Sequence, residues 1–293
     1  MTAALATASL SVTGPARTGF TAFVRRHPTV VIGSALLLSI VLASIAAPWL
    51  ATVDPISIAP AQRLRDPSTD HWFGTDRFGR DLYSRVMYGG RVSLIVGLSV
   101  AALSTVIGLA IGLVSGYLRA VDAVVMRVMD GMMAIPAIML AIALIALSKA
   151  SIVIVIVAVT LPEVPRVVRL VRSIVLTIRE QPYIEAATAV GTSVPRIILR
   201  HLLPNALPPL IVQATYICAS AVLIEAALSF LGAGTPPEIP SWGNIMAEAR
   251  PYFQLKPWMV LLPGMFLAVT VLAINLVGDG LRDMLDPRLA RRM

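Results

Sequence analysis

Uncharged apolar runs long enough to cross a lipid bilayer are what most restrict the fold of this chain. A bilayer core about 30 Å thick takes roughly 20 apolar residues as helix. Such runs place spans at about 28–53, 92–118, 204–232 and 258–278. A further run, 131–148, extends back to give a span over 124–148. Residues 150–162 are apolar but too short, so a sixth span at 150–171 must carry Glu163 and Arg166 into the membrane. Those two are three residues apart on one helix face and are expected to pair. The fold class expected is therefore all-α and membrane-embedded, with six spans.

The composition agrees. Only 14% of the residues are charged, against about 25% in soluble domains. The first span ends in Ala-Ser-Ile-Ala-Ala but exceeds the roughly 7–15 apolar residues of a signal peptide, so it reads as an uncleaved anchor. Residues 1–27 read as a cytoplasmic tail, of which 1–24 are expected to be disordered, with no charge before Arg17.

Basic residues set the orientation. With the N-terminus inside, segments 1–27, 119–130, 163–201 and 279–293 hold 15 of the 24 bases. That is the bias expected of cytoplasmic loops. Both termini are then cytoplasmic, and the net charge of +8 is an orientation signal rather than a nucleic-acid footprint.

Several chemistries find no residues to carry them. A phosphate-binding loop needs Gly-Lys followed by Ser or Thr. The two lysines, Lys149 and Lys256, follow Ser148 and Leu255, so this chain carries no ATP site of that kind. One cysteine, Cys218, and three scattered histidines, His27, His71 and His201, offer no metal set. Glu225 is the carboxylate inside a strong span. It lies 19 residues beyond Ala206, roughly 28 Å at 1.5 Å per residue, near the outer surface. A structural hydrogen bond or a place at an outer gate suits it better than a proton relay.

The longest inner loop, 172–203, reads Gln181-Pro182-Tyr183-Ile184-Glu185-Ala186-Ala187-Thr188-Ala189-Val190-Gly191 and continues to Leu203-Pro204-Asn205. Pro182 suits the first turn of a helix, the alanines favour helix, and Gly191 suits a left-handed stop. Ser193 is placed to cap a second helix, with Pro195 behind it.

Glu185, Ala186, Ala187, Gly191, Leu203 and Pro204, at that spacing, resemble the signature loop of bacterial ABC-importer permeases. Further stretches resemble the C-type permeases of dipeptide and oligopeptide importers. These are Phe73–Asp76, Gly79–Asp81, Ser84-Arg85, Gly90–Leu94, Glu225–Gly232, Ser241–Gly243, Asn275-Leu276, Gly278–Asp283 and Asp286–Arg288. Residues 1–70 match weakly, and Glu163 stands where that branch has an uncharged residue.

The resemblance implies a type I importer-permease (MetI-like) fold in the bacterial inner membrane. It implies a coupling helix at Tyr183, Glu185, Ala186 and Ala187 that docks on an ATPase. The implied partners are a second permease, two P-loop ATPase subunits or one fused ATPase, and an extracytoplasmic binding protein. ATP and Mg would be bound by the ATPases, with no cofactor in this chain. Dipeptides or short oligopeptides are the implied cargo; nickel, haem or another small solute stays open. A secondary transporter driven by an ion gradient is the rival class.

Three further readings are made. Gly108, Gly112 and Gly116 share one helix face, for packing within the subunit or against a second permease. The outer loop 54–91 mixes six arginines with five aspartates. It is solvated by default, or else docks a binding protein through Asp76, Arg80, Asp81 and Arg85. Trp242 and Trp258 read as interfacial anchors.

Overall fold

A computed structural model describes Val24 and residues 27–148 and 151–285. The expected tail 1–27, Lys149 and the Asp286–Arg288 motif thus lie largely outside the described residues.

Among the described residues the chain is helical, with one isolated bridge between Thr75 and Asp81. The first run forms α1, Pro28–Ile45, then turns at Ala46 into α2, Ala47–Leu50. The second forms α3, Leu82–Tyr117, of 36 residues. It begins ten residues before the expected span because its first turns are buried, with Leu82, Val86 and Met87 inside an outer cap. Asp81 starts it, accepting the Ser84 N–H at 2.8 Å.

The third expected span is broken. α4, Arg119–Met133, meets α5, Ala137–Ala146, at an 83° bend. Pro136 is the cause, since it pushes Ile135 away from the helical region. α4 is tied sideways to α6, Ile152–Arg179. Arg172 grips Asp122 at 2.5 and 2.6 Å, and Arg169 meets Asp130 at 2.5 Å. α6 runs eight residues past its expected end.

α7, Pro182–Ala189, and α8, Val194–Ile197, form the inner loop. A π-turn at Ile198–Leu202 leads into α9, Leu203–Phe230. α10, Trp242–Ala249, packs against the start of α3, and α11, Trp258–Leu285, closes the bundle.

Four stretches are long and apolar enough to cross a membrane alone: α1, α3, Val194–Phe230 and α11. The bent pair makes a fifth. α6 falls outside that count because any eighteen residues of it include Glu163, Arg166 and Arg169. The six expected spans are therefore an approximate number.

α3 and α6 form the principal helix pair. A Cβ built on Gly112 would lie 2.7 Å from the Val171 Cβ, and one on Gly116 2.8 Å from the Val175 Cβ; Gly108 faces Val167 in the same way. Both series climb by four residues together, so the helices run parallel. Val167, Val171 and Val175 are fully buried. In lipid such contact acts through close packing rather than escape from water. This is packing within the subunit, one of the two expectations for these glycines.

Candidate functional site

The inner loop is built as its residues dictate. Pro182 opens α7 at a position where its missing N–H does no harm. At the other end Gly191 adopts φ +77°, a conformation that favours glycine. Its N–H donates to the Thr188 carbonyl at 2.9 Å, and the Thr192 N–H reaches the Ala187 carbonyl at 3.0 Å. These two bonds form a Schellman stop. Ser193 precedes α8, but its side chain makes no cap bond; its carbonyl accepts from Arg196 and Ile197 instead.

Ile184 anchors α7, buried in the main core with Ile197 and Leu202. The remaining face of α7 is free: Tyr183, Glu185 and Ala186 are exposed and Ala187 is half-buried. The Tyr183 ring stands 5.9 Å from that of His201. Val190, Val194 and Leu199 are exposed beside them. An open groove of about 610 Å³ between Tyr117, Arg119, Arg179 and α7 borders this surface. Leu203 is half-buried and Pro204 exposed where the chain re-enters the bundle. Pro204 brings no N–H, and the helix widens here so that the Leu203 N–H bonds back to Ile198. The structure thus gathers Tyr183, Glu185, Ala186 and Ala187 on one projecting helix, with Gly191 as its stop.

The outer quartet is placed differently from the docking expectation. Asp76, Arg80, Asp81 and Arg85 are all buried. Side chains sealed from solvent do not offer a docking face, and that reading is corrected. Asp76 accepts from Arg80 Nε at 2.6 Å and lies 3.5 Å from Arg85 Nη1. Both arginines also meet Glu248 of α10, Arg85 at 3.2 Å. Asp81 accepts from Ser84 Oγ at 2.7 Å and Thr52 Oγ1 at 3.1 Å, and pairs with His71 Nδ1 at 2.9 Å. The network ties the outer loop to the start of α3 and to α10. Glu248 and His71 were not singled out from sequence, because their partners are 163 and 10 residues away.

Trp242 is likewise no interfacial anchor. It is buried in the outer cap, and its Nε1 donates to the Val86 carbonyl at 3.0 Å. Trp258 is partly exposed and lies under Lys256, 5.0 Å from the ring centroid.

Glu225 is fully buried in α9. Ser93 of α3 donates to it at 3.1 Å and Ser229 at 2.8 Å. Ser229 also accepts the Thr235 N–H at 3.3 Å, and Asn244 of α10 bonds Thr235 Oγ1 at 2.9 Å. Glu225 therefore stands at the root of a polar chain joining α3, α9 and α10. No group of three or more His, Cys, Asp or Glu side chains able to hold a metal is present among the described residues.

Residues 104–291 match the family described as binding-protein-dependent transport system inner membrane component. The chain belongs to this family. Residues 23–67 also match the N-terminal transmembrane domain of oligopeptide transport permease C. A binding-protein-dependent permease works with an ATPase and a substrate-binding partner; it is a membrane subunit, not itself the catalytic one. The chain is 53% identical over 268 residues to a probable peptide ABC transporter permease of Sinorhizobium fredii, covering 92% of each. It is 41% identical to the dipeptide transport permease DppC of Alkalihalophilus pseudofirmus, covering 90% of this chain and 88% of that one. The probable D,D-dipeptide permease DdpC of Escherichia coli is also 41% identical, over 89% of this chain and 88% of its own length. In fold the permease resembles a chain of the inward-facing MetNI methionine ABC transporter, with TM-score 0.54, 23% identity, and coverage of 69% of this chain and 96% of that one.

Proposed function

We propose that this permease forms half of the translocation path of a peptide importer of the bacterial inner membrane, with both termini in the cytoplasm. Its cargo is dipeptides or short oligopeptides. The other half is a paralogous permease. Two P-loop ATPase subunits, or one fused ATPase, bind ATP and Mg on the cytoplasmic side, and an extracytoplasmic protein delivers the peptide.

The observation that carries this reading is the projecting helix Pro182–Ala189, closed by Gly191 and rooted by buried Ile184. It hangs between α6 and the Val194–Phe230 helix, so a push on it reaches two long helices at once. ATP closure of the ATPase pair favours one access state, and the shift is limited by the difference in its interaction with the two states. The names of the relatives support peptides as cargo.

The test is uptake of a labelled dipeptide by liposomes holding the permease with the partners that purify with it. Uptake that requires ATP and the binding protein is the expected result. Uptake driven by a proton or sodium gradient without ATP would replace this reading with secondary transport.

A further inference from the structure

Arg166 pairs with buried Glu163 through one nitrogen and leaves the rest of its guanidinium to other partners. It lies 14 residues along α6 from Ile152, about 21 Å at 1.5 Å per residue, within a bilayer core about 30 Å thick. Its side chain is 54% exposed, whereas that of Glu163, one turn earlier, is 1% exposed. Nη1 of Arg166 lies 3.3 and 3.4 Å from the two Glu163 oxygens. Among the described residues nothing pairs with its Nε or Nη2.

The exposed residues of α6 are apolar on one side of its outer half and polar on the opposite side of its inner half. Val153 and Val157 are exposed in the outer half, and Arg166, Arg169, Ser173 and Thr177 in the inner half. A guanidinium against hydrocarbon is costly, and such residues face water-filled cavities or other protein. Arg169 is taken by Asp130 at 2.5 Å. Arg169 uses only its Nη2 there, and Arg166, three residues earlier, is the cation of this polar side set deeper in the span.

Leu170, one turn below Arg166 on the same face, opens onto a groove of about 650 Å³. Pro208, Pro209, Gln213, Tyr216 and Arg282 also line that groove. Neither proline has an N–H, so the carbonyls of Pro204 and Asn205 lack their regular helical donors. Irregular backbone of this kind is tolerated in a membrane protein where it lines a wet cavity. The groove adjoins the polar side of α6 at Leu170, one turn inward of Arg166.

We propose that Arg166, aimed by Glu163, is the anion-reading contact of the translocation path and takes the carboxylate of a peptide in transit. The free Nε and Nη2 present two parallel donors, the geometry that suits a carboxylate. Glu163 offsets the arginine's charge, so the cargo is held weakly enough to leave, as conduction demands. This inference rests on the peptide reading above.

Cys218 is the one cysteine of the chain, which makes the test direct. In a Cys218→Ser background, with the permease in its complete complex in liposomes, Arg166→Cys is treated with a water-soluble thiol reagent. Labelling at position 166 that saturating dialanine slows is expected, with no labelling of Val157→Cys. In uptake assays Arg166→Gln raises the KM for dialanine by about tenfold, from the lost charged hydrogen bonds, with the ATPases still purifying alongside. Arg166→Lys, which keeps charge but not the fork, recovers only part of that loss. If wild-type liposomes take up no dipeptide, the peptide reading itself has failed. If they do, absence of labelling at 166, labelling that dialanine does not slow, or an unchanged KM in Arg166→Gln overturns the inference alone.

Discussion

The N–H of Thr192 donates to the carbonyl of Ala187 at 3.0 Å, and this bond five residues back fixes where the helix Pro182–Ala189 stops. It forms because Gly191 takes φ +77°. A β-branched residue in that left-handed region costs about 1–2 kcal/mol. Gly191→Val is therefore expected to unwind the last turn and to lower the yield of ATPase purifying with the permease. Gly131→Ala is the control. Gly131 is helical, and an added Cβ there meets nothing within 4 Å. Its recovery of ATPase should match the wild type.

The Gly112–Val171 contact predicts a reciprocal pair. Gly112→Val places a side chain where the Val171 Cβ already lies 2.7 Å from an added Cβ. Overpacking of this kind costs about 1–3 kcal/mol. The purified complex should melt at lower temperature, and Val171→Ala added to the same chain should restore the part that comes from the Val171 Cγ1, 3.0 Å from the added Cβ. Equal melting of Gly112→Val and wild type would mean that α3 and α6 do not pack this way.

Glu248 carries the outer cap. Its removal in Glu248→Ala leaves Arg80 and Arg85 buried with only Asp76 between them. Breaking a buried ion pair from one side costs about 3–5 kcal/mol. The loop between α2 and α3 should become sensitive to protease added outside, while the inner loop should not. Resistance equal to wild type would show that the network does not hold the cap.

Glu225 should tolerate glutamine better than leucine. Glu225→Gln keeps an oxygen to accept from one of Ser93 and Ser229 and offers its amide N–H to the other hydroxyl; Glu225→Leu takes the side-chain acceptor from both in a buried site, at about 1–3 kcal/mol for an unsatisfied group. Thermal melting of the two variants decides this. Equal melting would remove Glu225 from the structural chain.

How far the sequence could be read depended on the range of the signal. Hydropathy placed the starts of α1, α9 and α11 to within one residue, because lipid demands long apolar runs whatever lies beside them, but set the end of α1 eight residues late and that of α11 seven residues early. It placed the start of α3 ten residues late, since Arg85 reads as a solvent charge until Glu248 is known to meet it. It joined α4 to α5, although Pro136 marks the bend. Gly108, Gly112 and Gly116 were legible as a close-packing face, but Val167, Val171 and Val175 look like any apolar run until the helices are set side by side. The inner loop was legible residue by residue, because Pro182, Ala186, Ala187 and Gly191 each act on their own backbone. The outer quartet was misread for the opposite reason: burial of Asp76, Arg80, Asp81 and Arg85 depends on partners distant in the chain.

A cross-link from the helix Pro182–Ala189 in intact membranes tests its proposed contact with an ATPase. With Cys218→Ser removing the native thiol, Tyr183→Cys and Ala186→Cys are treated with a short thiol cross-linker and the products identified. A covalent adduct with a P-loop ATPase is expected from both positions, and none from Val153→Cys near the start of α6. If neither position captures an ATPase in membranes where the ATPases are present, the Pro182–Ala189 helix is not the coupling element and the central claim fails.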